Sequence, residues 1–390
     1  MKIGIVEICE PNHYTAVEAI ALTYATSLEN QITIFITKEM VENYQFEQEN
    51  IFIVVKQNGE NIIEFLERIN HQNLDRIHIN TISKYYKEFA KIKWKNKIIL
   101  TIHNIDIWFN NPIKMRWELL KEKIWAKKLT NFNLKSDKYL PIKYFLKDII
   151  LQKYRDAIVK KLVQQNHKIL VYSDAQKEYL IQFTRRENIV VFPFCIHQPT
   201  KDNSQNNLKL RICIPGSVDN HRRDYSGLFK LLEDQFLDLK GKICIDLLGY
   251  IPKTEKHLIA SIVKLNNLGI EIIYNESFIA KEEYQNRLNL CDIILGNLRV
   301  NLNIQSKYGE TKETGVIFNM IKSAKPGIFP SAYLIPKNLQ NICLTYTDNL
   351  GEIIRDLITN SQKLKELKRE AKKAVIEYEP ENLYQTLINS

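Results

Sequence analysis

Leu210 to Tyr225 reads LRICIPGSVDNHRRDY: an apolar strand closed by Pro215-Gly216, a polar loop, two arginines, and the first residues of a helix beginning at Asp224-Tyr225. It follows the most turn-rich stretch of the chain, Gln198 to Asn207 (QPTKDNSQNN), so a strand–loop–helix pattern restarts there after a linker. Upstream, Ile3–Cys9, Ile32–Thr37, Ile51–Val55, Arg76–Asn80, Ile98–His103, Ile169–Ser173 and Ile189–Pro193 read as strands. They alternate with helices at Ala16–Leu28, Asn61–Asn70, Lys84–Ile92, Lys114–Leu129 and Lys143–Gln165. Downstream, strands at Leu210–Pro215, Lys242–Leu248, Ile270–Tyr274, Asp292–Leu295 and Gly327–Phe329 alternate with helices at Tyr225–Phe236, Glu255–Asn266, Lys281–Leu290, Gly315–Ser323 and Leu350–Leu357, followed by a charged helix over Lys363–Tyr378. Such alternation specifies parallel sheets covered on both faces by helices. The expected fold class is α/β, with two Rossmann-like doubly wound domains facing a central cleft. The expected domains are 1–198, a linker at 199–207, 208–378, and a segment 379–390 that returns to the first domain. Ligands in such folds bind beyond the carboxyl ends of the strands.

A chain of 390 residues with 45% apolar content is long enough for two cores. Its six cysteines lie scattered in apolar runs without a CxxC pair, which argues against a zinc site or a disulfide framework. The N-terminus lacks a signal peptide's apolar region, and no run reaches the ~18 apolar residues of a membrane span, so the expected location is cytoplasmic. Of the net charge of +10, nearly all sits in residues 112–161, with 14 Lys/Arg against 5 Asp/Glu interleaved with aromatics. Basic residues beside aromatics suit an anionic membrane surface, here the inner face of the plasma membrane, or a phosphorylated acceptor; a solvated helix face is the bland alternative. No recognition module for nucleic acid accompanies the patch.

No GxGxxG follows the first strand and no GxxxxGK[ST] occurs, which disfavours dinucleotide dehydrogenases and P-loop NTPases. A phosphate site is expected instead at Gly216, where the backbone can approach a ligand, with Ser217 beside it and Arg222 and Arg223 as forked donors. A second anion-binding feature is Tyr308 to Pro330, YGETKETGVIFNMIKSAKPGIFP. There Glu310, Thr311, Lys312, Glu313 and Thr314 gather at the N-terminus of an apolar helix that stops at Pro326. In the first half, ILTIHNI places His103 and Asn104 at a strand's carboxyl end, and Glu10-Pro-Asn-His13-Tyr14-Thr15 follows the first strand and opens a helix. The Glu10–Thr15 segment could equally be a structural turn with Thr15 as helix cap, whereas the strand–His–Asn–loop setting of His103 favours a functional role over a structural one.

On these residues the chain resembles GT-B-fold glycosyltransferases of the large retaining group that uses nucleoside-diphosphate sugars, which includes many bacterial polysaccharide and glycolipid enzymes. Gly216 and Arg223 match that group's phosphate loop. Ser217 stands where a first arginine is usual and Asp224 where a glycine is, leaving Arg299 and Lys307 to supply a missing clamp. Anchored on Pro326, Thr311 and Asn319 fall at the two positions where the group carries glutamates.

The resemblance implies transfer of a hexosyl group from a nucleotide-sugar donor to the hydroxyl of a glycan or lipid-linked acceptor, with retention and without a metal or other cofactor. No Asp-x-Asp of metal-dependent transferases occurs. It casts Glu313 as the sugar-proximal carboxylate and His103 as a contact to the transferred sugar, the two catalytic candidates. Gly216, Ser217, Arg222, Arg223, Lys307, Lys312, Thr314, Gly315 and Asn319 would bind the donor, and His13, Tyr14 and Asn104 the acceptor. A sugar-nucleotide epimerase of the same fold, or a non-catalytic nucleotide-sugar or glycan binder with a decayed site, are the competing readings.

Overall fold

The computed structural model describes residues 1–109, 142–184, 188–197, 209–303 and 306–389. The expected helix at 114–129, most of the basic stretch and the linker 199–207 lie outside them. Two compact units emerge. One comprises Met1–Phe194, Asn303–Ser306 and Leu383–Ser390; the other comprises Cys195–Leu302 and Lys307–Asn382.

The first unit is built on a seven-stranded sheet. Its strands are β1 (Lys2–Glu7), β2 (Gln31–Ile36), β3 (Ile51–Val55), β4 (Arg76–Thr81), β5 (Lys97–Thr101), β6 (Lys168–Val171) and β7 (Ile189–Val191). Their order is β3-β2-β1-β4-β5-β6-β7, all parallel. The intervening helices are α1 (Tyr14–Ala25), α2 (Ile62–Asn70), α3 (Tyr86–Lys91), α4 (Ile105–Phe109), α5 (Ile142–Gln164) and α6 (Asp174–Thr184). Helices on both faces bury both sides of the central strands, so Ile3, Ile5, Val6, Ile32, Ile34 and Phe35 are all inaccessible and the strands read as apolar runs rather than alternating ones. α2 opens on a capping box, Asn61 accepting from Glu64 N while the Glu64 carboxylate accepts from Asn61 N.

The second unit carries β8 (Leu210–Ile214), β9 (Ile243–Tyr250), β10 (Glu271–Asn275), β11 (Ile293–Leu295), β12 (Gly327–Pro330) and β13 (Cys343–Tyr346). The order is β10-β9-β8-β11-β12-β13, again all parallel. Its helices are α7 (Tyr225–Gln235), α8 (His257–Asn267), α9 (Lys281–Asn289), α10 (Gly315–Ser323), α11 (Leu350–Thr359) and α12 (Ser361–Ala374). The edge strand β13 was not expected from sequence, because a half-buried four-residue strand carries little apolar signal. Two of the six scattered cysteines come together: Cys213 and Cys291, 78 residues apart, stand with Cα atoms 5.9 Å apart, a proximity that their spacing along the chain does not show. The parallel pairing of β11 with β8 brings them together.

A last helix, α13 (Pro380–Ile388), ends in the first unit. There Arg76 on β4 donates from Nη1 to the Leu387 carbonyl (2.6 Å) and from Nη2 to that of Ile388 (3.3 Å). Carbonyls left over at a helix C-terminus and the helix dipole both favour such a cation. Tyr24 adds a hydroxyl to the Leu387 carbonyl and contacts His78, which burial pushes down to about 3 and keeps neutral.

Candidate functional site

In each sheet the strand order reverses at one place, and the carboxyl ends of the two strands flanking it leave a crevice open to ligands. In the first unit this place lies between β1 and β4, and the strand ends carry a polar cluster inside an apolar unit. Glu7, the last residue of β1, is fully buried. Its Oε1 accepts from Cys9 N (2.8 Å) and Glu10 N (3.0 Å), and its Oε2 accepts from Asn80 Nδ2 on β4 (2.6 Å). Burial outweighs those three bonds and raises the carboxyl to about 7. Asn80 is the hub: its Nδ2 also reaches the His13 carbonyl (3.4 Å), and its backbone and side-chain oxygens accept from His103 Nε2 at 3.0 and 3.2 Å.

Two acceptors on one ring nitrogen fix the His103 tautomer, with the proton on Nε2 and the lone pair on Nδ1. Burial, and secondarily His13, hold His103 at about 3, so it is a neutral hydrogen-bonding group rather than a proton carrier. Its ring stacks on that of His13, with centroids 4.4 Å apart and planes inclined by 23°. The Tyr44 hydroxyl is buried without a hydrogen-bond partner, and the nearby Glu7 charge adds to the burial that raises its pKa.

In the second unit the reversal lies between β8 and β11. Gly216, just after β8, has φ +94°, which disfavours any side chain. Behind it, a Cβ on Gly249 would lie 2.1 Å from the Gly216 carbonyl, so the loop can sit down only on a glycine. The loops after β8 and β11 are laced together: Asp224 N donates to the Asn297 carbonyl, Arg299 N to that of Arg222, and Arg299 Nη2 reaches Asp224 Oδ1 at 2.8 Å. Asn297 is buried with its Nδ2 unpaired. α10 starts beside the loop carrying Glu313, and Thr314 caps it by accepting from Val316 N. Glu313 Oε1 takes hydrogen bonds from the Tyr333 hydroxyl and from Thr314 N, while Oε2 is shut off from solvent without a partner. Burial raises this carboxyl too, to about 7.

The structure brings His13 and His103 into ring contact, and places Tyr14 at the first turn of α1 and Asn104 immediately before α4. Arg223 does not reach outward as a forked phosphate donor would. It is only 7% exposed and spends its guanidinium on the Pro215 carbonyl (2.7 Å) and the Ser217 carbonyl (2.8 Å), fastening the Gly216 loop from behind. Arg222 is exposed beside it. Lys307 pairs with Glu310 at 3.1 Å, the Lys312 carbonyl accepts from Gly309 N, and exposed Gly315 opens α10. Asn319 bridges α9 and α10, accepting from the Tyr284 hydroxyl and donating to the Gly315 carbonyl. Sequence reading missed Glu7, Asn80, Tyr44, Asn297 and Tyr333. A carboxylate ending the otherwise apolar run Ile3–Val6 was the one signal that could have flagged Glu7. Among the described residues, no three His, Cys, Asp or Glu side chains are grouped to hold a metal ion, and no helix is long and apolar enough to cross a membrane.

No family model and no curated protein matches the sequence. Solved structures do. HepE from Anabaena, in complex with UDP and glucose, matches all of this chain and 98% of its own at 15% identity with a TM-score of 0.61. A glycosyltransferase from Rickettsia africae matches all of this chain and 96% of its own at 15% identity and 0.60. The E. coli trehalose-6-phosphate protein bound with UDP-2-fluoro glucose matches all of this chain and 98% of its own at 11% identity and 0.59. With two parallel, doubly wound sheets and whole-chain likeness to these proteins, the chain has the two-domain Rossmann-like GT-B fold of glycosyltransferases.

Proposed function

We propose that this protein is a glycosyltransferase that moves a hexosyl group from a uridine-diphosphate sugar to a hydroxyl of a glycan or lipid-linked acceptor. The observation that carries the reading is the pair of polar clusters, one at each sheet's reversal point, in a fold whose neighbours include proteins holding UDP, glucose or a UDP-sugar analogue. The second unit would hold the donor. The Gly216 loop and the start of α10 present backbone N–H groups to a diphosphate, and Arg222 supplies charge as the leaving group becomes more negative. Glu313, with one oxygen unpaired and a carboxyl that stays partly protonated near neutrality, would hydrogen-bond the sugar. In the first unit, His103 would accept a hydrogen bond through Nδ1. We extend the resemblance to retention, to metal-independent transfer, and to bacterial surface-glycan assembly at the cytoplasmic membrane face, reached through the basic stretch 112–161.

The test is a thermal-shift screen of sugar nucleotides followed by UDP-release assays with oligosaccharide acceptors. A bound donor at 100 times its Kd stabilises the fold by about 2.7 kcal/mol. UDP-sugars that neither shift the melting temperature nor turn over would refute the reading. For the membrane contact, co-sedimentation with phosphatidylserine vesicles that resists high salt, or is absent at low salt, would remove that part.

A further inference from the structure

β3 closes one edge of the first unit's sheet, and nothing in its own sequence guards it. An edge strand is usually kept from pairing with another chain by being short, by charged side chains, by proline or by a bulge. The sheet's other edge, β7, has only three residues, and in the second unit the edge strand β10 carries Glu271, paired with Lys209 at 2.8 Å. β3 reads Ile51-Phe52-Ile53-Val54-Val55, with no charge, no proline and no break in its register against β2. Phe52 is 46% and Ile53 36% exposed.

The backbone of that edge is open in a particular pattern. Ile32 N donates to the Asn50 carbonyl and Lys56 N to that of Ile36, so the even-numbered residues of β3 turn their peptide groups towards β2. Those of Ile51, Ile53 and Val55 point to the open side. Two of these groups are already engaged: Ile51 N donates to the Gln48 carbonyl (3.2 Å), and the Val55 carbonyl accepts from Arg68 Nη2 (3.5 Å). The Ile53 N–H and carbonyl, the Val55 N–H and the Ile51 carbonyl have no partner among the described residues.

These free groups complement themselves. When an identical strand is laid antiparallel with Ile53 opposite Ile53, the two Ile53 residues exchange N–H···O bonds in both directions. Each Val55 N–H then meets the Ile51 carbonyl of the other strand, so every free group is bonded, and the engaged groups fall opposite one another. In the same register Phe52 of each strand lies opposite Val54 of the other, in the kind of pair where side chains approach most closely. Glu47 and Glu49 are exposed at the amino end of β3, and Lys56 follows its carboxyl end. Antiparallel pairing sets the acidic end against the basic one, whereas parallel pairing would set like against like.

We propose that β3 is an interface between two copies of this chain, which pair edge to edge about a two-fold axis passing between their Ile53 residues. The contact is closed, because each copy uses its open edge on the other and none is left for a third.

The test is sedimentation equilibrium across a dilution series of the wild-type chain, Ile53→Pro and Ile53→Lys. Proline removes an N–H that no bond within the chain uses, so the β2–β3 ladder is kept. Lysine keeps the N–H and sets two like charges face to face. The wild type should pass from one copy to two as concentration rises, while both variants stay single and melt with the wild type. If Ile53→Pro melts earlier, Ile53→Lys decides alone. Oxidative cross-linking reads the register: hydrogen-bonded antiparallel residues have Cα atoms about 5.5 Å apart, within reach of a disulfide. Ile53→Cys should therefore give a covalent dimer, and Phe52→Cys, which faces Val54 rather than its own copy, should not. A wild type that stays single, a dimer that Ile53→Lys retains, assemblies that grow beyond two, or cross-linking by Phe52→Cys and not by Ile53→Cys overturns the proposal. None of these readouts involves a sugar nucleotide, so they stand or fall apart from the transferase reading.

Discussion

Arg223→Ala separates two roles that the sequence could not. A clamp on the donor diphosphate would cost ligand affinity and leave stability alone, whereas the observed geometry has the guanidinium hold up the loop. Two charge-assisted hydrogen bonds, at 2.7 and 2.8 Å to the carbonyls of Pro215 and Ser217, are lost in the variant. Each such bond is worth about 1.5–3 kcal/mol, and because the two share one group the sum is taken conservatively as about 3 kcal/mol. The residue is 7% exposed, so water does not readily replace the lost donors. For a unit of this size, with about 2–4 °C per kcal/mol, the expected fall in melting temperature is about 6–12 °C. Arg223→Lys should recover less than half of it, since one ammonium cannot span two carbonyls as a planar fork does. The assay is calorimetry, with each unit's transition assigned separately, together with titration of UDP. A variant that melts with wild type but no longer binds UDP would refute the loop-fastening reasoning and restore Arg223 as a ligand contact.

Other outcomes follow from the same contacts. Glu7 titrates at about 7 in the fold against 4.5 in the reference state, so the native chain holds a proton that the unfolded chain releases. Its contribution to stability is complete below pH 4.5 and is lost as pH rises to about 7, a change of about 3 kcal/mol. Glu7→Gln should therefore flatten the decline seen in urea titrations of the wild type by about that amount. Gly216→Ala meets both a left-handed φ of +94° and an Arg223 nitrogen 2.9 Å from the new Cβ. It should lose more than about 1 kcal/mol and weaken UDP binding together, and a neutral result would show that the loop relaxes freely. Arg76→Ala removes the cation from the last turn of α13. Faster proteolysis after residue 379, with little change elsewhere, is the expected readout of limited digestion.

Most strands were legible because a parallel sheet buried on both faces demands unbroken apolar runs such as Ile3–Val6 and Ile32–Ile36. β13 escaped notice because an edge strand needs apolar residues on only part of its surface. The candidate site was legible where a residue type is rare in its context. Gly216, His103 and Glu313 stand out in the sequence and all lie at strand or helix ends in the fold. Asn80 carried no such signal, since its importance is that one amide touches Glu7, His13 and His103 at once.

The sequence by itself determined that the chain folds as two doubly wound halves, and where each half turns from strand to helix, because apolar periodicity and Pro/Gly punctuation are local properties. Only the tertiary structure decided what the polar residues at those turns do. Arg223 faces inward because two loop carbonyls need donors, and Glu7 joins the polar cluster with Asn80 because β1 and β4 are sheet neighbours although some 70 residues separate their ends. Charge, burial and partner are set by what stands alongside in space, and strand order, which no local pattern encodes, determines that.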